Sequence, residues 1–317
     1  MHTNAVATAL KSISLGQSLV VDNLTMIPLV RRPHLDTSVS GLDYTVLDDA
    51  LESGSFEITE ISEQGSVPDL RVVNRGSQPV LIVDGEELLG AKQNRVVNLS
   101  ILVPAHTELT IPVSCVEAGR WRARTRSFIS APRAQYATGR AKRMAQVSFS
   151  MKVRGERVSD QAEVWQDIAE ISDRLSAESP TAAMEAIFHL HGVSIDQYVE
   201  RCRPVDDQVG AVFAVGGTLI GLDLFDRPST LRKVLPKLVR SVAVDAIDAS
   251  ARSERARPPH DAVHARAEQF LAVAADAPQH VTPALGLGED ARITAPGLAG
   301  AALVLDHHVV HFSAFAL

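Results

Sequence analysis

The first half of the chain alternates short apolar runs with clusters of Gly, Pro, Asn and Ser, a pattern typical of β-strands joined by turns. β-Branched and Leu-rich runs occupy residues 19–24, 70–74, 80–84, 96–103 and 109–116. We therefore predict that the N-terminal half is β-rich and folds as a sandwich or barrel.

After residue 151 the spacing of apolar residues becomes that of helices. They recur every three or four positions over residues 161–175, and Ser159 is positioned to cap this helix. Ser179 followed by Pro180 predicts a second helix start, with serine as cap and proline at the first helical position.

Strand character returns over residues 209–225, where Gly216 and Gly217 separate two apolar runs as a β-hairpin turn requires. The helix predicted over residues 229–249 contains Pro236, which has no backbone N–H and should kink or split it.

These elements predict an α+β fold with a β-rich N-terminal half and a helix-rich C-terminal half that contains a β-hairpin. We divide the chain into residues 1–155, which carry the polar motifs described below, and an α+β half over residues 156–317. One continuous domain is the alternative, because 317 residues suit either arrangement.

Composition narrows the class of protein. Hydrophobic residues make up 45% and charged residues 22%, which excludes the composition of a disordered chain. The only cysteines, Cys115 and Cys202, lack Cys-x-x-Cys spacing, so neither a disulfide framework nor a cysteine-rich zinc site is indicated. With no signal-peptide pattern and no apolar stretch of about 20 residues, we predict a soluble, cytoplasmic protein.

The charge is distributed unevenly along the chain. The net charge is −7, yet residues 118–155 contain ten Lys or Arg and no Asp or Glu. The remainder carries 21 basic against 38 acidic residues. This asymmetry favours a local anionic small-molecule ligand over nucleic acid.

The densest polar motif lies between two predicted strands. It contains Glu86 and Glu87, then Gln93, Asn94 and Arg95, with Gly85 and Gly90 between. Loops at strand ends present binding groups, and glycine lets the backbone approach a ligand. A solvated hairpin connection is the alternative, because these are also ordinary turn residues.

A second motif follows the apolar run that ends near Cys115. Glu117 shares a strand face with Cys115, and Arg120 and Trp121 come just beyond. An arginine fork suits phosphate or carboxylate, and an indole can stack on a base. The alternative is a structural Glu117–Arg120 pair with Trp121 in the core. No histidine in this motif can activate Cys115, so we expect an inert, buried thiol.

Metal binding has one plausible donor set. Glu86, Glu87 and Glu117 offer oxygen ligands for a divalent cation such as Mg²⁺, or one of them can act as a general base. In a strand, His307 and His311 share a face but lie roughly 13 Å apart, too far to ligate one ion. We expect the histidines to be structural or solvated.

These motifs give the chain a resemblance to a known family. The sequence resembles the ARG and rhodanese-phosphatase-superfamily-associated protein domain, through residues 15–16, 24–25, 65–68, 85–95, 112–117, 119–121, 161–165, 179–181 and 221–226. The family takes its name from gene neighbourhoods shared with ADP-ribosylglycohydrolases and rhodanese-phosphatase relatives. The resemblance implies that the two polar motifs form one pocket.

Two functions follow from these patterns. In the first, the protein binds, and hydrolyses or transfers, an ADP-ribose-like or other phosphorylated nucleotide. Arg95 and Arg120 would hold phosphate beside Gln93 and Asn94, Trp121 would stack, and Glu86 or Glu117 would be the base or metal ligand. In the second, the protein is a non-catalytic docking module whose contact surface spans residues 120–157.

Overall fold

The computed structural model describes residues 4–32, 43–252 and 260–317. Its helices are α1 (Ala5–Lys11), α2 (Leu47–Glu52), α3 (Ala137–Arg154), α4 (Gln161–Arg174), α5 (Glu185–Leu190), α6 (Gly192–Arg201), α7 (Pro228–Ala251) and α8 (His260–Asp276). The N-terminal strands are β1 (Ile13–Leu15), β2 (Leu19–Val21), β3 (Leu24–Arg31), β4 (Thr45–Val46), β5 (Phe56–Glu60), β6 (Asp69–Asn74), β7 (Val80–Ile82), β8 (Glu86–Gly90), β9 (Arg95–Val97), β10 (Ile101–Val103), β11 (Thr107–Cys115) and β12 (Phe128–Ala134). The C-terminal strands are β13 (Gln208–Val215), β14 (Thr218–Phe225), β15 (Gln279–Pro283), β16 (Glu289–Ala295), β17 (Leu298–Leu305) and β18 (His308–Ala316).

The largest sheet is antiparallel and has the order β1-β3-β13-β14-β18-β17-β16-β15, with β2 also paired to β3. β13 and β14 form the hairpin expected at Gly216 and Gly217, both of which have positive φ. Because β3 pairs with β13, this sheet contains strands from both halves of the chain.

Helices cover both faces of the large sheet. Successive residues of a strand point to opposite faces, so Phe213 packs into the core shared with α3, α4 and α7. Its neighbour Val212 packs into a second core with α1 and α8. Burial on both faces explains why β13, after Gln208, is apolar instead of alternating.

The N-terminal half builds two smaller sheets around a third core. A six-stranded sheet has the order β12-β8-β9-β11-β6-β5, and a three-stranded sheet has the order β10-β7-β4. Phe56, Leu88 and Phe128 lie in the core between these sheets and α2. The mixed α+β character and the β-rich N-terminal half are therefore confirmed, while the C-terminal half contains the six strands β13–β18 as well as helices α4–α8.

Several elements differ from the sequence expectations. The run at residues 96–103 is two strands, interrupted at residues 98–100, where the buried Asn98 side chain donates to the Arg157 carbonyl at 3.1 Å. The helix expected at Pro180 begins only at Glu185, since Ser179 Oγ accepts N–H bonds in a local turn instead. α7 runs without a break through Pro236, so of the predicted kink or split the structure excludes the split.

No helix within residues 4–32, 43–252 and 260–317 has the length and apolar character needed to span a membrane.

Candidate functional site

The two polar motifs meet at one end of the six-stranded sheet. β8 and β9 form a hairpin whose turn holds Gln93 and Asn94, and β9 pairs with β11 so that Arg95 lies opposite Cys115. The chain leaving β11 therefore carries residues 116–121 past that turn, where the Val116 N–H bonds to the Asn94 carbonyl at 3.0 Å. The structure brings together six predicted residues, here called the Arg95 cluster: Gln93, Asn94, Arg95, Glu117, Arg120 and Trp121.

Glu117 and Arg120 form a buried bidentate ion pair at the centre of the Arg95 cluster. The Arg120 Nε and Nη2 atoms lie 2.8 and 2.6 Å from the two Glu117 oxygens. Thr181 Oγ1 and the Asn94 N–H also donate to this carboxylate, at 2.8 and 3.1 Å. Burial alone raises the pKa of Glu117, but these hydrogen bonds outweigh it and hold the pKa below its ordinary value. Glu117 is therefore ionised.

The other N–H groups of Arg120 donate hydrogen bonds to oxygen atoms of the protein. Nη1 donates to the carbonyls of Ala91 at 2.6 Å and Arg122 at 3.0 Å. Nη2 donates to the Gly90 carbonyl and to Asn94 Oδ1, both at 3.2 Å. This guanidinium organises the β8–β9 turn, and its hydrogen-bonding capacity is largely used.

Arg95 differs from Arg120 in its bonding. Its side chain is fully buried, yet Nε and Nη2 find no hydrogen-bond partner among the described residues. Its one hydrogen bond runs from Nη1 to the Asn94 carbonyl, at 3.4 Å. Burial lowers the pKa of Arg95. A buried cation with two unused donors is costly, and such groups call for a functional explanation.

Trp121 covers Arg95. Its ring centroid lies 5.8 Å from the Arg95 guanidinium carbon and 5.2 Å from Lys92 Nζ. The side chain is 48% exposed, so the expectation of a core tryptophan does not describe it. Beside it Gln93 donates through Nε2 to the Glu117 carbonyl at 2.9 Å, while Gln93 Oε1 has no partner in the described structure.

Three residues that the sequence did not single out as a group extend the cluster. Arg133 Nε lies 2.5 Å from Glu87, and its Nη2 lies 3.8 Å from Glu185. Glu185 in turn accepts from Asn94 Nδ2 at 3.2 Å. Burial raises the pKa of Glu87 despite Arg133. Only the tertiary contacts reveal this extension, because β12 and α5 carry Arg133 and Glu185.

Glu86 lies apart from the Arg95 cluster. It follows the strand alternation and points to the opposite side of β8 from Glu87. Its carboxylate is 2.6 Å from Lys237 Nζ and accepts the Val83 N–H at 2.8 Å. Lys237 also contacts Asp48 at 2.6 Å. The structure thus does not bring Glu86 to Glu117, and the three-glutamate donor set for Mg²⁺ does not converge on one point.

Cys115 is buried and its neighbours do not activate it. Burial raises the pKa of the thiol, which opposes the effect of nearby Arg95. The thiol is therefore protonated near neutral pH, as expected for an inert cysteine.

A second ionic cluster lies where the three-stranded and large sheets meet. Arg140 donates to Asp84 at 3.2 Å and to Asp223 at 2.8 Å, and His311 Nε2 lies 3.2 Å from Asp223. Asp84, Asp223 and His311 place one potential metal-ligand atom each within 4.8 Å of one another. Arg140 binds both carboxylates and Arg143 lies 3.9 Å from Asp84. These two guanidinium groups would repel a divalent cation, so the arrangement fits an ion-pair network better than a metal site. Sequence reasoning missed this group, including the role of His311.

The stability contributed by Asp84 should depend on pH. Burial by itself raises the pKa of Asp84, but Arg140, His311 and Arg143 outweigh it and hold this pKa well below its usual range. The pKa of an aspartate in an unfolded chain is about 3.9. The stability contributed by Asp84 is therefore present above about pH 4 and is lost as the pH falls below that value. In urea unfolding, the stability difference between wild type and Asp84→Asn should narrow as pH is lowered from 5 to 3. A constant difference would contradict the assignment.

The basic segment at residues 118–155 is not one basic surface. Arg140 and Arg143 point inward from α3, and Arg143 donates to Gln135 Oε1 at 2.9 Å. Burial lowers the pKa of Arg143 to about 10. Exposed members of the segment include Arg122, Lys142 and Lys152. Buried hydrogen-bond and ion-pair networks therefore hold part of the positive charge of this segment, including Arg120, Arg133, Arg140 and Arg143.

A family model described as the ARG and rhodanese-phosphatase-superfamily-associated protein domain matches residues 12–315. This span includes both polar motifs, the large sheet and the second ionic cluster. Comparison with curated proteins and with solved structures gave no match.

Proposed function

Because the chain belongs to the ARG and rhodanese-phosphatase-superfamily-associated protein domain family, we propose that the Arg95 cluster binds a phosphorylated, ADP-ribose-like ligand. The observation that carries the proposal is the buried Arg95 guanidinium, whose Nε and Nη2 lack partners. Two adjacent N–H donors on one guanidinium match the geometry of two phosphate oxygens.

Trp121 is the natural entrance to Arg95. Its ring lies over the guanidinium, and nearly half of its side chain faces solvent. Displacement of the indole would open Arg95 and leave the ring free to stack on a nucleotide base. The unpaired Gln93 Oε1 would then accept a hydrogen bond from a ribose hydroxyl.

The proposal assigns binding to the Arg95 cluster and leaves any reaction to experiment. Glu117 is paired with Arg120, and Glu86 is paired with Lys237 outside the cluster. A carboxylate held ionised by an ion pair is a weak general base. A hydrolase or transferase activity would therefore require that the Glu117–Arg120 ion pair breaks, or that another group acts as the general base.

Arg95→Met should weaken binding of ADP-ribose by about 10-fold to 100-fold, because it removes two charge-assisted hydrogen bonds to phosphate. Calorimetry with ADP-ribose, ADP and NAD, each with and without Mg²⁺, measures the effect. Methionine keeps most of the side-chain volume and removes an unpaired buried charge, so the variant should fold.

Arg122→Met is the matched control, since Arg122 is an exposed arginine near the same cluster. Its affinity should stay within about twofold of wild type, as expected for a surface substitution. The proposal fails if none of the three ligands gives heat at millimolar concentration. It also fails if Arg95→Met and Arg122→Met bind equally well.

A non-catalytic docking function is the second candidate, and one observation on α3 favours it. Phe149 and Val153 lie one helical turn apart and are 65% and 62% exposed. This apolar pair would supply a contact surface within the segment at residues 120–157. The basic residues Arg140 and Arg143 would not, because both are buried.

A further inference from the structure

A ligand-sized cleft that shares no residue with the Arg95 cluster lies between α3, α4, α7 and the β13–β14 hairpin. We call it the α3–α4–α7 cleft. Its volume is about 620 Å³, which is in the range of small-molecule sites. Its polar lining includes Tyr136, Lys142, Asp167, Glu170, Arg174 and Asp245.

Tyr136 presents an unused hydroxyl to this cleft. The residue is 1% exposed, and its phenolic oxygen has no hydrogen-bond partner in the described structure. Burial, together with Asp167 and Asp245, raises the pKa of Tyr136 well above its usual value, so the phenol stays protonated. A buried hydroxyl without a partner costs roughly 1–3 kcal/mol, which a ligand can recover by bonding to it.

The cationic side chains of the cleft are already committed to two of its acids. Arg174 binds Asp248 at 2.8 and 3.0 Å, and Arg252 lies 3.4 Å from the same carboxylate. Lys142 lies 2.5 Å from Asp167. These pairs neutralise Asp248 and Asp167, and Arg174 acts on Glu170 only through a longer-range attraction.

Glu170 and Asp245 have no cation within ion-pair distance among the described side chains. Asp245 accepts the N–H groups of Ala137 and Thr138 at 2.7 and 3.1 Å, so the start of α3 partly offsets its charge. Among the residues that the structure describes, Glu170 accepts a hydrogen bond only from Gln166, at 3.0 Å. The cleft thus retains an uncompensated negative charge beside the Tyr136 hydroxyl.

We propose that the α3–α4–α7 cleft binds a small organic cation, an alkylammonium or guanidinium compound. The Glu170 carboxylate forms an ion pair with the cationic group, and Asp245 adds to the negative potential. The Tyr136 oxygen accepts a hydrogen bond from one N–H of the cation. Such an N–H bond to a carboxylate is charge-assisted and is about twice as strong as a neutral one. An anionic ligand would face Glu170 and Asp245, because Lys142, Arg174 and Arg252 are paired with other acids.

Agmatine, which carries one guanidinium and one ammonium group, is the probe for calorimetry, and 1-butanol is the uncharged comparison. Agmatine should bind and 1-butanol should not. Glu170→Gln should weaken agmatine binding about tenfold, equivalent to about 1.4 kcal/mol. Tyr136→Phe should weaken it several-fold, because only the hydroxyl is lost. Both side chains keep their shape, so these variants should fold.

Glu200→Gln is the matched control, because Glu200 is an exposed acid on α6 outside the cleft. Equal loss of affinity in Glu170→Gln and Glu200→Gln would show nonspecific attraction to an acidic protein and overturn the proposal. Absence of heat with millimolar agmatine would overturn it as well. Arg95→Met should bind agmatine like wild type, which separates this site from the Arg95 cluster.

Discussion

Arg140→Met should lower the free energy of unfolding by about 3–5 kcal/mol, the range for removing one partner of a buried ion pair. Arg140 is 1% exposed and lies between Asp84 and Asp223. Asp84 follows β7 of the three-stranded sheet, and Asp223 belongs to β14 of the large sheet. The substitution would leave two carboxylates buried without their guanidinium, at a junction between sheets.

Lys152→Met is the matched control because Lys152 is exposed on the same helix. Its effect should stay within about 0.5 kcal/mol, as for most surface substitutions. Urea denaturation of both variants and wild type measures the difference. The slope of the unfolding free energy against urea concentration should be the same for all three proteins. If Arg140→Met lowers the free energy of unfolding by less than about 1 kcal/mol, Arg140 contributes no more than a typical hydrogen bond and the prediction is wrong.

Arg120→Met should also lower the free energy of unfolding by about 3–5 kcal/mol, since it exposes Glu117 to the same penalty of an unpaired buried charge. It also removes hydrogen bonds to the carbonyls of Gly90, Ala91 and Arg122. The β8–β9 turn should loosen, and ligand binding at the Arg95 cluster should be lost with it.

A double-mutant cycle separates the ion pair from the other bonds of Arg120. Glu117→Gln and Arg120→Met together should destabilise the protein less than the sum of the single changes, with a coupling of about 1–3 kcal/mol. Arg122→Met combined with Glu117→Gln should be additive, because no Arg122–Glu117 contact is seen in the structure. Additivity of the Glu117–Arg120 pair within about 0.5 kcal/mol would contradict the network.

Local sequence patterns correctly predicted the elements that neighbouring residues are sufficient to specify. The β13–β14 hairpin was predicted correctly, since Gly216 and Gly217 can adopt positive φ between two apolar runs. The helix at residues 161–175 was also found, although Asp160 caps it in place of Ser159. In each case a few neighbouring residues carry the physical cause.

Elements that depend on distant partners were missed. β8 begins with Glu86 and Glu87, which resemble a solvated turn until Lys237 and Arg133 are seen to neutralise them. α3 was not predicted because arginines occupy positions on its buried face, where apolar residues are expected. Arg140 is buried there because it pairs with Asp84 and Asp223. Charge along a chain does not show whether a counter-charge lies nearby in space.

The candidate site was predicted in part by the same logic. The sequence placed Gln93, Asn94, Arg95, Glu117, Arg120 and Trp121 in two motifs, and the pairing of β9 with β11 joined them. Glu86 was grouped with them by proximity along the chain, but strand alternation turns it to the other face of β8. The acids of the α3–α4–α7 cleft come from α4 and α7, which no local motif connects.

By itself the sequence determined the residue types that carry chemistry and the mixed α+β character, because side-chain identity and short-range periodicity are local properties. The tertiary structure alone decided which charges neutralise one another, which side of a strand each glutamate faces and which donors remain unused. The physical reason is that the energy of a buried charge depends on groups a few ångströms away, and those groups lie tens to hundreds of residues distant along the chain.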